Sequence, residues 1–136
     1  MREILFRGKR TLNGDWIEGL LWKKKYKDNR IFISYFPYQD DYEEAYSVNP
    51  ETVGQYTGLT DKNGTKIFEG DIVVVNIKGY NTICKVAWAD NVAQFQLWQI
   101  NTIPNTSTAL NLGNYDCEVI GNIHDNPELL KECEGK

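Results

Sequence analysis

Three acidic residues in the stretch "GLTDKNGTKIFEGDIVVV", residues 58–75, are the first candidates for acid–base chemistry. Glu69 and Asp71 flank Gly70, so an extended strand would place both carboxylates on one face, as a general acid and base require. Asp61 precedes them. No histidine is nearby in sequence, and acids beside a glycine before a strand are more typical of turns whose carboxylates accept backbone N–H groups. We therefore predict a structural turn, and a carboxylate-dependent hydrolase or transferase is the least favoured function.

The other reactive side chains match no catalytic or metal-binding pattern. His124 is the only histidine, and a lone histidine needs several remote ligands to form a zinc site. The three cysteines, Cys84, Cys117 and Cys133, are odd in number and lack the spacing of a disulfide framework or a paired zinc site. We predict reduced thiols, no catalytic residues, no metal and no cofactor.

A mixture of basic and aromatic residues is a better candidate for a binding site. It comprises Trp22, Lys23, Lys24, Lys25 and Tyr26. Basic and aromatic side chains together can hold single-stranded nucleic acid. The favoured alternative is that lysines at this place guard an edge strand against aggregation. Both interpretations stay open.

A second candidate is the tyrosine-rich, acidic segment "YFPYQDDYEEAY", residues 35–46. We expect a loop or a single helical turn here. Tyr38 and Tyr42 could form an aromatic contact patch, or could rest their rings on the neighbouring strands with their hydroxyls in water. A protein partner is the favoured occupant of such a surface, nucleic acid is the alternative, and a homo-oligomer is possible.

Charge is distributed unevenly along the chain. Residues 1–30 contain nine Lys or Arg and four Asp or Glu, whereas residues 31–136 contain six and fifteen. The two parts could attract each other, or the basic part could meet an anionic partner. The net charge of −4 argues against a dedicated duplex-DNA-binding protein, which needs a broad basic surface.

The first half of the chain predicts a three-stranded antiparallel meander. "REILFRGKR" and "DWIEGLLWKKKY" are separated by the turn signal Asn13-Gly14, and "RIFISYF" follows. Alternation in the second strand places Trp16, Leu20 and Trp22 on one face and Ile17 and Leu21 on the other.

The second half predicts a small five-stranded barrel of the Src-homology type. Asn63-Gly64 is the favoured dipeptide of a type I′ hairpin, and short strands without intervening helices follow it, ending with "CEVIGNI", residues 117–123. Residues 101–116 are expected to form a long loop with one helical turn around Ala109 to Leu112. A short C-terminal helix is predicted with Asn126 as its cap and Pro127 at its first position.

The sequence resembles the YopX family of small phage and prophage proteins. The resemblance lies in "REILFRGKR" with "DWIEGLLW", in "ETVGQYTGLTDKNGTKIFEGDIVVV", and in "VIGNIHDNPELL". It implies a bacterial or phage origin, a cytoplasmic location and a mainly β fold. It implies no activity, catalytic residue or cofactor, because the family has none assigned.

Together these observations predict an all-β protein with a single domain, residues 1–136. Its parts are a meander (1–51), a small barrel (52–123) and a short helix with a tail (124–136). The chain has neither a signal-peptide core nor an apolar run long enough to cross a membrane. We expect a cytoplasmic, non-enzymatic accessory protein that binds a host or phage macromolecule, with single-stranded nucleic-acid binding as the alternative.

Overall fold

Strands dominate the computed structural model, which describes residues 3–23, 30–35, 45–100 and 109–130. The strands in these residues form antiparallel sheets of six and five strands, which confirms the predicted all-β class. Contacts divide the chain into unit 1, Met1–Tyr56, and unit 2, Thr57–Lys136. The strands are β1 (Phe6–Lys9), β2 (Trp16–Lys23), β3 (Ile31–Tyr35), β4 (Ala45–Val48), β5 (Gly54–Thr60), β6 (Lys66–Phe68), β7 (Asp71–Ile77), β8 (Tyr80–Ala89), β9 (Gln94–Gln99), β10 (Ala109–Asn111) and β11 (Cys117–Asn122).

The meander predicted for unit 1 is present, and β4 extends it. The strands pair in the order β4-β3-β2-β1, and β5 and β6 complete the six-stranded sheet. Beyond the end of β1, Thr11 N donates to Ser47 O at 3.0 Å, and Asn49 N donates to Lys9 O at 2.8 Å. The chain at the end of the first strand is therefore bridged to the end of the fourth strand, through Arg10 and Val48.

Glycines allow the close strand contacts of unit 1. A Cβ on Gly8 would lie 3.1 Å from the Cβ of Val48, and a Cβ on Gly19 would overlap the carbonyl oxygen of Ser34. The core of this unit consists of Ile17, Ile33 and Val48 with partly buried neighbours. The predicted alternation of β2 is confirmed, because Ile17 is buried whereas Leu20 is 47 % exposed.

Unit 2 contains the five-stranded sheet, in the order β10-β9-β8-β7-β11. Among the described residues the pairing of this sheet ends at β10 and β11, so the sheet is open and the small barrel that the sequence predicted is not closed. Its core lies on one face of the central strands. The buried members are Ile67, Val73, Val75, Ile77, Cys84, Val86, Leu97, Leu112 and Cys117.

The type I′ turn predicted at Asn63-Gly64 is wrong. Only Gly64 has a positive φ, of +83°, and its N–H donates to the carbonyl of Asp61 at 3.0 Å. The two positive φ values of a type I′ turn occur instead at Lys78 and Gly79, +50° and +87°. That loop has only two residues between β7 and β8 and needs the primed turn, whereas the longer loop between β5 and β6 does not.

The end of the predicted linker also differs from expectation. Residues 109–111 form strand β10, paired with β9, where a helical turn was expected. A 3-10 turn, Leu112–Asn114, follows and buries Leu112 in the core of unit 2. Leu110 and Leu112 explain the difference, because both apolar side chains pack in or against the core of unit 2 and so anchor the segment to the sheet. The rest of the linker, residues 101–108, lies outside the described part of the chain.

The predicted C-terminal helix begins as expected after Pro127. Residues 128–130 are helical, and Leu129 N donates to Asn126 O at 3.1 Å. The side-chain oxygen of Asn126 also accepts a hydrogen bond from the N–H of Asn122, at the end of β11, at 3.2 Å. It fills the space over Gly121, where a Cβ would overlap its amide oxygen.

Candidate functional site

Two of the seven residues predicted for binding lie in the described part of the chain. Trp22 and Lys23 form the end of β2, where they pair with Phe32 and Ile31 of β3. The other five, Lys24, Lys25, Tyr26, Tyr38 and Tyr42, lie outside the described residues, so the lysine run and the tyrosine patch stay predictions.

One face of the meander in unit 1 combines basic and aromatic side chains, and we call it the basic aromatic face. It consists of Arg7, Lys9, Trp16, Leu20 and Phe32. These residues occupy alternate strand positions, on the opposite face from the core residues. The strand register places Lys9 opposite Trp16, and places Phe32 opposite position 22. The face therefore ends next to the predicted binding residues at the end of β2.

Two cations of this face lie against one indole ring. The Arg7 guanidinium carbon is 4.8 Å, and the Lys9 ammonium nitrogen 5.4 Å, from the centre of the Trp16 ring. The negative face of an indole attracts cations, and this attraction offsets the repulsion between the two. Glu18 lies opposite Arg7 in the ladder and adds one negative charge. The result is a surface on which two cations, one carboxylate and one indole lie beside apolar groups.

Arg7 and Lys9 were not singled out from the sequence. A two-residue turn at Asn13-Gly14 would place Lys9 across from Glu18. The turn in the structure is longer, with Arg10 N donating to Asp15 O, and it places Lys9 across from Trp16 instead. The predicted hairpin therefore did not bring these cations to Trp16.

The paired acids at Glu69 and Asp71 take part in a turn, as predicted. Gly70 has a φ of +91° and lies between β6 and β7, so no extended strand joins the two acids. Asp71 is 2 % exposed and its Oδ2 accepts a hydrogen bond from Phe68 N at 2.7 Å. The carboxylate of Asp71 thus stabilises the backbone of the turn.

Asp61 has a similar role in unit 2. Its Oδ1 accepts hydrogen bonds from the N–H groups of Asn63 and Thr65, and its Oδ2 accepts one from Val119, each at 2.9 Å. Burial by itself would raise the pKa of this carboxyl group. The three backbone donors and the neighbouring Lys62 outweigh burial and lower the pKa. Asp61 therefore stays ionised and ties the loop between β5 and β6 to β11.

The buried thiols of unit 2 are poor nucleophiles. Burial, and to a smaller extent Cys117, raises the pKa of Cys84 to about 12. Burial and nearby carboxylates raise the pKa of Cys117 to about 11. Both cysteines are free in the structure. Cys133 lies outside the described residues.

His124 follows β11 and lies near the turn at Gly70. A Cβ on Gly70 would be 3.9 Å from the Nε2 atom of His124. Over the residues that the structure describes, no group of three or more His, Cys, Asp or Glu side chains is placed to hold a metal ion. Within the same residues, no helix has the length and apolar character needed to cross a membrane.

Comparisons with known proteins identify relatives of the chain. The family described as "YopX protein" matches residues 5–131. Among solved structures, the crystal structure of protein EF1440 from Enterococcus faecalis is similar, with 25 % identity and a TM-score of 0.57. The alignment covers 96 % of this chain and 99 % of that one. No curated protein matches the chain.

Proposed function

The chain belongs to the YopX family, and we propose that it is a non-enzymatic accessory protein of a phage or prophage. In this proposal it acts in the bacterial cytoplasm and binds a protein partner through the basic aromatic face of unit 1. The observation that carries the proposal is the composition of this face, with Arg7, Lys9 and Trp16 in contact beside the exposed Leu20.

The basic aromatic face has the chemistry of a protein interface. Trp and Arg are enriched among the residues that dominate binding energy, and they act best beside apolar groups that exclude water. Leu20 is 47 % exposed, a large apolar side chain on the face of a sheet with its core on the other side. A partner with acidic groups around an apolar centre would complement Arg7, Lys9 and Leu20.

The acids and thiols of unit 2 support a non-enzymatic role. The carboxylates of Asp61 and Asp71 accept hydrogen bonds from backbone N–H groups, which makes them poorly suited to proton transfer. Cys84 and Cys117 have raised pKa values, so they form little thiolate at neutral pH.

Affinity capture with two matched leucine variants tests the proposal. The protein is immobilised and exposed to lysate of a bacterial host that carries the phage or prophage. Leu20→Glu places a charge on the basic aromatic face, whereas Leu12→Glu does so in the β1–β2 turn, where Leu12 is 83 % exposed. We expect a partner that wild type and Leu12→Glu retain and Leu20→Glu loses, with circular dichroism confirming that both variants fold. Equal capture by both variants would refute a role for this face.

Single-stranded nucleic acid is a second candidate, favoured by the contact of Arg7 and Lys9 with Trp16. Cations around an aromatic ring can bind phosphates and bases. Fluorescence anisotropy with labelled single-stranded and duplex oligonucleotides, at low and near-physiological salt, tests this candidate. Salt-dependent binding that Arg7→Gln with Lys9→Gln abolishes, or that charge reversal at Lys23, Lys24 and Lys25 abolishes, would support it, and absence of binding at low salt would exclude it.

A further inference from the structure

A row of polar and aromatic side chains lies along β9, on the face of the unit 2 sheet opposite its core. We call it the Gln–Trp row, and it consists of Gln94, Gln96 and Trp98, at alternate positions. Trp98 Nε1 donates to Gln96 Oε1 at 2.9 Å, and Gln96 Nε2 donates to Gln94 Oε1 at 3.1 Å. Lys85 pairs with Trp98 across β8 and β9, and its ammonium lies 5.2 Å from the centre of the indole.

The side chains of the Gln–Trp row are held in place although they do not belong to the hydrophobic core of unit 2. Trp98 is 40 % exposed, while its neighbour Leu97, on the other face, is fully buried. Two successive hydrogen bonds and one cation fix the orientation of the indole. A flat aromatic surface oriented in advance loses less conformational entropy when a ligand stacks on it.

The hydrogen bonds within the row determine which groups it offers to a ligand. The carbonyl oxygens of Gln94 and Gln96 each already accept a hydrogen bond. Their amide N–H groups and the Lys85 ammonium still have donor capacity, since Lys has three donors and each amide has two. The row thus combines an exposed π surface with several donors and one positive charge. The residues paired with Lys85 and Gln96 in the same face, Ile72, Ala87 and Asn111, carry no charge.

From this geometry we propose that the Gln–Trp row and Lys85 bind a nucleobase with its adjacent phosphate. The base stacks on the Trp98 indole, its ring and exocyclic acceptors meet the amide donors of Gln96 and Gln94, and the phosphate meets Lys85. Such a group occurs both in single-stranded nucleic acid and in free nucleotides. The site is separate from the basic aromatic face and does not depend on the function proposed for it.

The same cross-strand pairing occurs in unit 1, where Lys9 lies opposite Trp16. There Arg7 adds a second cation over the ring and Glu18 lies beside it in the ladder. Within the described residues, Lys85 lies over the Trp98 ring without a second cation, which leaves more of the indole for a base, and the inference therefore rests on unit 2.

Binding of a labelled oligothymidylate and of thymidine monophosphate by the full chain tests this site. Anisotropy is measured for the oligonucleotide and quenching of tryptophan fluorescence for the mononucleotide, both at low salt. We expect Trp98→Ala to weaken binding by about 5- to 150-fold, the usual effect of losing one base stack. We expect Lys85→Gln to reduce the slope of log K against log salt by about 0.7 for the oligonucleotide.

Trp88→Ala is the matched control, because Trp88 is also 40 % exposed but packs edge-on against Phe95, with ring centres 4.9 Å apart. It should bind like wild type. If only the oligonucleotide binds, the ligand of this site is single-stranded nucleic acid. If both probes bind, the site also accepts free nucleotides. The proposal is overturned if neither probe binds at low salt, or if Trp98→Ala and Trp88→Ala behave alike. It is also overturned if only Arg7→Gln with Lys9→Gln reduces binding, which would assign nucleic acid to the basic aromatic face.

Discussion

Replacing Asp61 by Asn tests how unit 2 is held together. The amide keeps one oxygen acceptor but turns an NH₂ group toward one of the three backbone donors, those of Asn63, Thr65 and Val119. One charge-assisted hydrogen bond is lost and one buried N–H is left unsatisfied, at a combined cost of about 2–4 kcal/mol. For a chain of this length that corresponds to a fall in Tm of roughly 7–14 °C.

The pH dependence of the same variant gives a second readout. The folded-state pKa of Asp61 is lowered from its ordinary value of 3.8, so its stabilisation is present above that value. The stabilisation is lost as the pH falls through the lower folded-state pKa. The difference in unfolding free energy between wild type and Asp61→Asn should therefore be constant from pH 5 to 8 and shrink below about pH 4.

Urea unfolding followed by circular dichroism measures both effects, and Asp90→Asn in the exposed β8–β9 turn is the matched control. The control should stay within about 0.5 kcal/mol of wild type. If Asp61→Asn were as stable as Asp90→Asn, or if its deficit grew as the pH fell, Asp61 would not tie the loop to β11 as an ionised acceptor.

Three further predictions concern packing, backbone geometry and thiol reactivity. Gly19→Ala should destabilise the protein by about 2 kcal/mol or more in urea unfolding, because the new methyl group would overlap the carbonyl oxygen of Ser34. Gly79→Ala should cost about 1 kcal/mol in the same assay, because its φ of +87° strains an L-residue although the site has space; equal stability would contradict the type I′ turn. Cys84 and Cys117 should resist iodoacetamide at pH 8 in the native protein and react in urea, as mass spectrometry would detect; rapid native labelling would contradict their burial and raised pKa values.

The sequence predicted the local features of this fold well. Alternation in "WIEGLL" correctly placed Ile17 and Leu20 on opposite faces of β2, because successive side chains of any strand point to opposite faces. The acid–glycine–acid turn at Glu69 to Asp71 was also predicted, since its geometry depends on residues within three positions.

Features set by distant residues were not predictable in this way. Asp61 and Val119 are 58 positions apart, and no local sequence pattern predicts the hydrogen bond between them. Pairing of Arg10 with Val48 likewise joins β1 to β4 through residues that no turn connects. The type I′ turn was assigned to Asn63 from its propensity, but loop length placed it at Lys78 and Gly79. Arg7 and Lys9 could be assigned to the basic aromatic face only once the register of β1 and β2 was known.

Photo-crosslinking from the basic aromatic face tests the central proposal most directly. A photoreactive amino acid is placed at the position of Leu20 or, as a control, at that of Leu12, and the protein is irradiated in bacterial cells that carry the phage. The proposal predicts one discrete crosslinked protein from position 20 and none from position 12. Crosslinks of equal yield and identity from both positions, or none from position 20, would contradict it.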